Sequence, residues 1–169
     1  MKPITLLAIT VCLFTACQQK PKANSAKQPY ELVINQDQIP TVSDITSPYQ
    51  IETFRGITVP ITLMNNSNDT LKYVNMSCSS DEIFSTNTDR VVLFRHGCEK
   101  NVLEVHSVPP HQSENIRIVL VVGKRSKGKE RIRVGMCLVL VKKNNSWPSF
   151  EDISQHRGET IWSNKVQIP

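Results

Sequence analysis

The sequence predicts an all-β protein, an immunoglobulin-like antiparallel β-sandwich with one short helix near its C-terminus. Three observations predict it. From about Tyr30 onward apolar residues recur with period two in short runs, and turn-forming clusters cut those runs at intervals of roughly ten residues. A single stretch, Ser149 to His156, has the capping chemistry of a helix instead.

Before the strands lies a segment with a different purpose. Residues 1 to 16 carry one cation at Lys2, an apolar core from Ile4 to Phe14, and the small residues Thr15 and Ala16. That is the layout of an export signal. The core is too short to remain as an anchor, since a spanning helix needs roughly 20 residues. Leu13-Phe14-Thr15-Ala16-Cys17 reads as a lipoprotein cleavage box, with Phe14 where Leu is usual, so Cys17 is expected to become the lipidated first residue of the mature chain. Residues 17 to 29 are polar and lysine-rich with almost nothing apolar to fold on, which is the composition of a tether. Residues 30 to 169 make a single domain.

Within that domain Ile57, Val59, Ile61 and Leu63 alternate with Thr58, Pro60 and Thr62, giving a strand with one apolar face. Pro60 cannot donate to a ladder, so this strand is expected at an edge or with a bulge. Asn65-Asn66-Ser67-Asn68-Asp69 is a dense turn signal, and Thr70 to Ser77 reads as the returning strand of a hairpin. Further strands are expected over Arg90 to Phe94, Asn101 to Val108, Ile116 to Val122 and Arg131 to Val141. The last is apolar on both faces from Gly135 onward and should be central. Val108-Pro109-Pro110-His111-Gln112-Ser113 has the character of a loop crossing between sheets. Ser149 is placed to cap a helix over Phe150 to His156, with Asp152 as its reciprocal partner, Pro148 just before it and Gly158 closing it. Glu159 to Ile168 should form a terminal strand, with Trp162 in the core.

Export fixes the expectations for cysteine. Cys12 lies in the signal and Cys17 in the cleavage box, leaving Cys78, Cys98 and Cys137. Cys78 and Cys98 sit in polar, turn-rich surroundings and are expected to pair in an oxidising compartment. Cys137 lies in an apolar run and is expected as a buried thiol.

The segments Asn65 to Tyr73, Met76-Ser77-Cys78-Ser79, Cys98-Glu99-Lys100-Asn101 and Ile161-Trp162-Ser163-Asn164 together resemble a group of small uncharacterised Bacteroidetes lipoproteins. That resemblance implies an immunoglobulin-like sandwich and an envelope location, and it implies no reaction. In the same context Asp69-Thr70-Leu71 matches the short Asp-Thr-aliphatic sequence used for O-glycan attachment in such organisms, which makes Thr70 a candidate; the bland alternative is that Asp69 and Thr70 close a turn. The sequons beginning at Asn65, Asn68, Asn75 and Asn144 are read as chance.

No catalytic constellation stands out. There is no Gly-x-Ser-x-Gly elbow, zincin motif or phosphate-cradling glycine loop. His96, His106, His111 and His156 fall in four separate segments, and Glu82, Glu104 and Glu114 are unpaired in sequence. A metal site from thiols and His96 lacks the usual ligand spacing, so no metal and no cofactor are expected. The formal net charge of +5 is too modest to indicate a nucleic-acid binder. The run from Lys124 to Arg133 is expected around a hairpin turn, with its charges guarding strand ends or, in the sharper reading, with Lys124, Arg125, Lys127 and Lys129 touching an anionic lipid surface.

The leading expectation is therefore a non-enzymatic, lipid-anchored module of the cell envelope, on the outer membrane at its periplasmic or surface face, with a structural or protein-interaction role and an envelope protein as partner. The alternative is a glycan or small-ligand binder using loops around Asp81 to Asp89 and Lys143 to Phe150. An aromatic-lined pocket would favour the second.

Overall fold

A computed structural model describes residues 28–41, 43–46, 53–95, 101–123, 129–141 and 147–169. In chain order its strands are β1 (Tyr30–Ile34), β2 (Ser43–Thr46), β3 (Thr53–Asn65), β4 (Leu71–Met76), β5 (Phe84–Thr86), β6 (Val91–Leu93), β7 (Leu103–Val108), β8 (Ser113–Val122), β9 (Glu130–Ile132) and β10 (Val134–Leu138). The helix α1 (Phe150–Ser154) follows, then β11 (Glu159–Trp162) and β12 (Val166–Ile168). All pairings are antiparallel. The all-β class with one short helix is as the alternation predicts.

One layer has the order β1-β3-β8-β6, with β2 also on β3. The other combines β11-β10-β5 with the pair β4-β7, because the chain leaving β10 goes on to pair with β4: Val74 N–H donates to Val139 O and Val141 N–H to Lys72 O. The pair β9-β12 completes the fold. Ile57, Val59, Ile61 and Leu63 of β3, together with Ile118 and Leu120 of β8, pack in the same core as Tyr73, Phe84, Val134 and Met136 of the second layer, each almost fully excluded from water. Burial of each such side chain contributes about 1.5–3 kcal/mol, so this interior carries the fold.

The pairings correct several expectations. β3 and β4 do not form a hairpin: β3 pairs with β8 and β4 with β7, so residues 66–70 carry the chain from one layer to the other. Asn65, 1% exposed, organises that crossing. Its Nδ2 donates to Asp69 O at 2.8 Å, Val108 O at 2.9 Å and Pro109 O at 3.1 Å, while its Oδ1 accepts from the Ser67 hydroxyl at 2.7 Å. The Val108–Ser113 loop, as expected, crosses back between the layers, and the same asparagine grips both crossings.

Pro60 lies in an interior strand, not at an edge. The reason is local. Asn65 N–H points across β3 toward Gln112 O, on the β8 side, so by alternation the nitrogen of residue 60 faces the opposite side. On that side β1 ends with Ile34 opposite Ile61, and β2 begins with Ser43 opposite Gly56. Pro60 therefore falls where no described strand asks for its missing donor.

Arg131 to Val141 is two strands in different sheets, broken at Arg133, as is Glu159 to Ile168, broken at residues 163–165. β10 is central, as expected, but β9 pairs with β12 and not with β8, so the strands on either side of the basic run are not partners, and residues 124–128 themselves lie outside the described residues. Leu140 is 38% exposed rather than buried on the face of Leu138. Trp162 is 40% exposed and is not core. Ile161 takes the inward position of β11, which turns Trp162 to the other face, opposite Gly135; a Cβ on that glycine would meet Trp162 Cε3 at 3.1 Å.

Side-chain amides close one seam of the fold. Asn164 accepts from Ile34 N–H at 2.8 Å and donates to Ile34 O at 2.9 Å, and Gln36 makes the same two-way contact with the backbone of Gln167.

Candidate functional site

Ser149 caps α1 as the sequence predicts. Asp152 N–H donates to Ser149 Oγ, and Ser149 N–H donates back to Asp152 Oδ2 at 2.8 Å. The Ser149 N–H, and then the Ser149 hydroxyl donating to the same Oδ2 at 2.9 Å, hold the Asp152 carboxyl below its usual range. Gly158 does not close the helix. The left-handed position beyond the last turn belongs to His156, with φ of 50°, and its Nε2 donates to Glu82 O at 2.8 Å, fastening α1 to the turn Ser80–Ile83. Gly158 instead lets the chain press against β10: a Cβ there would stand 2.7 Å from the Leu138 carbonyl carbon and 2.9 Å from Cys137 Sγ.

This packing leaves a cleft of about 330 Å³ between the end of β10 and α1. Leu138, Val139 and Leu140 give it an apolar side, and Trp147 and Pro148 another. Asp152, Arg157 and Glu159 supply its polar groups. Trp147 is 63% exposed, an unusual state for so large an aromatic. The Arg157 guanidinium sits between two carboxylates, 3.2 Å from Glu151 Oε1 and 3.5 Å from Asp152 Oδ1. The arrangement offers a flat aromatic surface, an apolar wall, hydrogen-bond acceptors and a fixed donor within one small volume. That is the make-up of a small-molecule site.

Of the two loops expected to bind ligand, Trp147 and Pro148 from the second line the cleft, with residues 142–146 outside the described residues. The first contributes only the Glu82 carbonyl that fixes His156. Leu138 to Leu140, Arg157 and Glu159 carried no functional signal in the sequence. Trp147-Pro148 directly before a capping box was the one signal that could have pointed here.

A second polar group links the two layers. Tyr73 and His106 are cross-strand partners on β4 and β7, stacked with ring centroids 5.1 Å apart. Glu114 on β8 accepts from the Tyr73 hydroxyl at 2.9 Å and lies 3.2 Å from His106 Nδ1. Burial, and then the neighbouring Glu114 charge, push the Tyr73 hydroxyl pKa far up. Tyr73 is 1% exposed, and the trio joins the two layers across the core.

The other expected residues are scattered. His111 contacts Asn68 Oδ1 at 3.0 Å, far in sequence from His156 on Glu82 O, and His96 lies outside the described residues. Thr70 is exposed at the end of the crossing from β3 to β4. Lys129 is exposed with φ of 61°, while Lys124, Arg125 and Lys127 lie outside the described residues. So do Cys17 and Cys98. Cys78 is exposed beside Asn101, whose Oδ1 accepts from Cys78 N–H at 3.1 Å. Cys137 is a free, buried thiol, as expected, with its pKa raised by burial. Among the described residues no cluster of His, Cys, Asp and Glu could hold a metal ion, and no helix is long and apolar enough to cross a membrane.

No protein-family model matches the chain, and no curated protein matches it. In structure it is similar to the yjhA protein from Bacillus subtilis, with a TM-score of 0.43 and 11% identity over 83% of this chain and 92% of that one. It is also similar to a FixG-related protein from Vibrio parahaemolyticus, with a TM-score of 0.34 and 11% identity over 83% of this chain and 94% of that one. Likenesses of this degree carry no function across, and the cleft at Trp147 is the feature from which a function has to be read.

Proposed function

We propose that the protein is a lipid-anchored ligand-binding domain of the cell envelope, taking a small organic molecule into the cleft beside Trp147. The observation that carries this reading is the cleft itself, where an exposed tryptophan, an apolar wall and convergent charged groups meet. It moves the weight from a purely structural module to the ligand-binding alternative. Thermal-shift screening of small ligands is the test: Trp147→Ala should abolish the stabilisation that a true ligand gives the unaltered protein, and hits that stabilise both equally would end the reading.

The anchor rests on the sequence around Cys17, and the resemblance to Bacteroidetes envelope lipoproteins of immunoglobulin-like fold on the segments Asn65 to Tyr73, Met76 to Ser79, Cys98 to Asn101 and Ile161 to Asn164. Cys17→Ala should shift the protein from the membrane fraction to the soluble one. A Cys78–Cys98 disulfide belongs to the same proposal. It is supported by Asn101, three residues beyond Cys98, lying against Cys78, and closing that loop would contribute about 3 kcal/mol. Exposure of Thr70 leaves it accessible to a glycan, which mass spectrometry of the native protein would detect as added hexose mass.

A protein-interaction role for the same face is the second reading, favoured by Phe150, 57% exposed on α1. Purification from solubilised membranes separates the two: a stoichiometric partner lost on Phe150→Ser supports the interaction module.

A further inference from the structure

The chemistry of the cleft narrows what it can hold. Its aromatic surface, Trp147, stands more than half exposed, and its wall of Leu138, Val139 and Leu140 is apolar. A ligand seated there must therefore present at least one face of C–H groups. Its edge must be polar, because Asp152, Arg157 and Glu159 would otherwise lose water without gaining a partner. The guanidinium offers only donors and the carboxylates only acceptors, so the edge must both donate and accept. Hydroxyl groups do both.

Charge sets a neutral ligand above an anion, and the unused donors of Arg157 set it above a cation. Among the described residues the cleft is lined by the carboxylates of Asp152 and Glu159 against the one guanidinium of Arg157, which is already engaged by Glu151 and Asp152. An anion would meet a surplus of like charge. A cation would find carboxylates but would also face the guanidinium, and would leave its donors unused.

We infer that the cleft binds a neutral saccharide, one sugar ring stacking on Trp147 while its hydroxyls donate to Glu159 and Asp152 and accept from Arg157. This assignment rests on the cleft being a ligand site. Glu159 is the acceptor most available, since among the described residues its carboxylate has no side-chain partner, whereas Asp152 is shared with Ser149 and Arg157.

The chain has two tryptophans, so Trp162→Phe leaves Trp147 as sole reporter. The full-length protein carrying that change, held in a polyoxyethylene detergent that presents no sugar headgroup, is titrated by tryptophan fluorescence. The probes are neutral disaccharides (maltose, lactose, chitobiose, mannobiose), the uronic acids of the same sugars, and a set of small amines including choline. At least one neutral sugar should change Trp147 emission saturably, its uronic counterpart should bind about tenfold more weakly or worse, and Glu159→Ala should weaken the neutral sugar to a similar degree. Should Trp162→Phe fail to fold, the unaltered protein is titrated with Trp147→Phe as the control that must lose the response. Uronic acids binding as well as neutral sugars would overturn the assignment. Amines binding where sugars do not would overturn it and leave the cleft a ligand site. No response to any of the three sets would overturn both.

Discussion

Gly158→Ala tests how the cleft is built. The glycine has no left-handed backbone angle to excuse it, so alanine is conformationally acceptable and would by itself stabilise by about 0.4–1 kcal/mol through the unfolded chain. Against that, the new methyl would lie 2.7 Å from the Leu138 carbonyl carbon, roughly 1 Å inside normal contact, and 2.9 Å from Cys137 Sγ. The obstacle is the backbone of a central strand, which cannot rotate aside as a side-chain tip can. Overpacking of this kind costs about 1–3 kcal/mol, and the rigidity of β10 points to the upper end, leaving a net loss of about 2 kcal/mol. Urea denaturation followed by circular dichroism measures it. In the Trp162→Phe background Trp147 emission should shift as well, because relief of the clash moves Glu159, the next residue, away from its strand partner Leu138, and both line the cleft. A variant within about 0.5 kcal/mol of the unaltered protein, the range of ordinary surface changes, would refute the view that close approach is why glycine stands there.

Asn65→Ala should lose about 3 kcal/mol in the same assay, since it removes three donated bonds at a buried site and weakens both layer crossings; Asn65→Asp, unable to donate, should fare no better. Tyr73 keeps its proton well beyond pH 10, where an unfolded tyrosine ionises, so its contribution to stability is present below about pH 10 and is lost as pH rises further. Thermal melts above pH 10 should fall less steeply for Tyr73→Phe, which at neutral pH should cost about 1.5 kcal/mol for the lost bond to Glu114. Asp152 behaves oppositely: its carboxyl lies below the usual range, so its support for α1 is present above about pH 4 and fades as pH falls through the lower folded value. Trp147 emission of the Trp162→Phe protein should report that transition, and Asp152→Asn should abolish it.

How much of this was legible in the sequence depended on how local each signal was. The strand faces of β3, β8 and β10 and the cap on α1 were readable because alternation and capping act over a few residues. Pairing was not. The Asn65–Asp69 cluster has the composition of a hairpin turn, but composition does not say where the returning strand docks, and the side chain of Asn65 directs it to the other layer. Trp162 looked like core because large aromatics usually are, yet one residue of register against Gly135 put it outside. The cleft unites Leu138, Trp147 and Arg157 only after α1 folds back on β10.

Beneath Gly158 lies Cys137, and its burial matters before the protein is finished. Cys78, Cys98 and Cys137 lie beyond the proposed cleavage box, and three thiols allow three single pairings in an extended chain. Once β10 is flanked by β5 and β11, the sulfur of Cys137 is screened from solvent and reluctant to ionise, and thiol exchange requires a reachable thiolate. If the protein is exported as proposed, a chain that seats β10 before oxidation withdraws Cys137 from exchange and leaves Cys78 and Cys98 as the one pairing open to it.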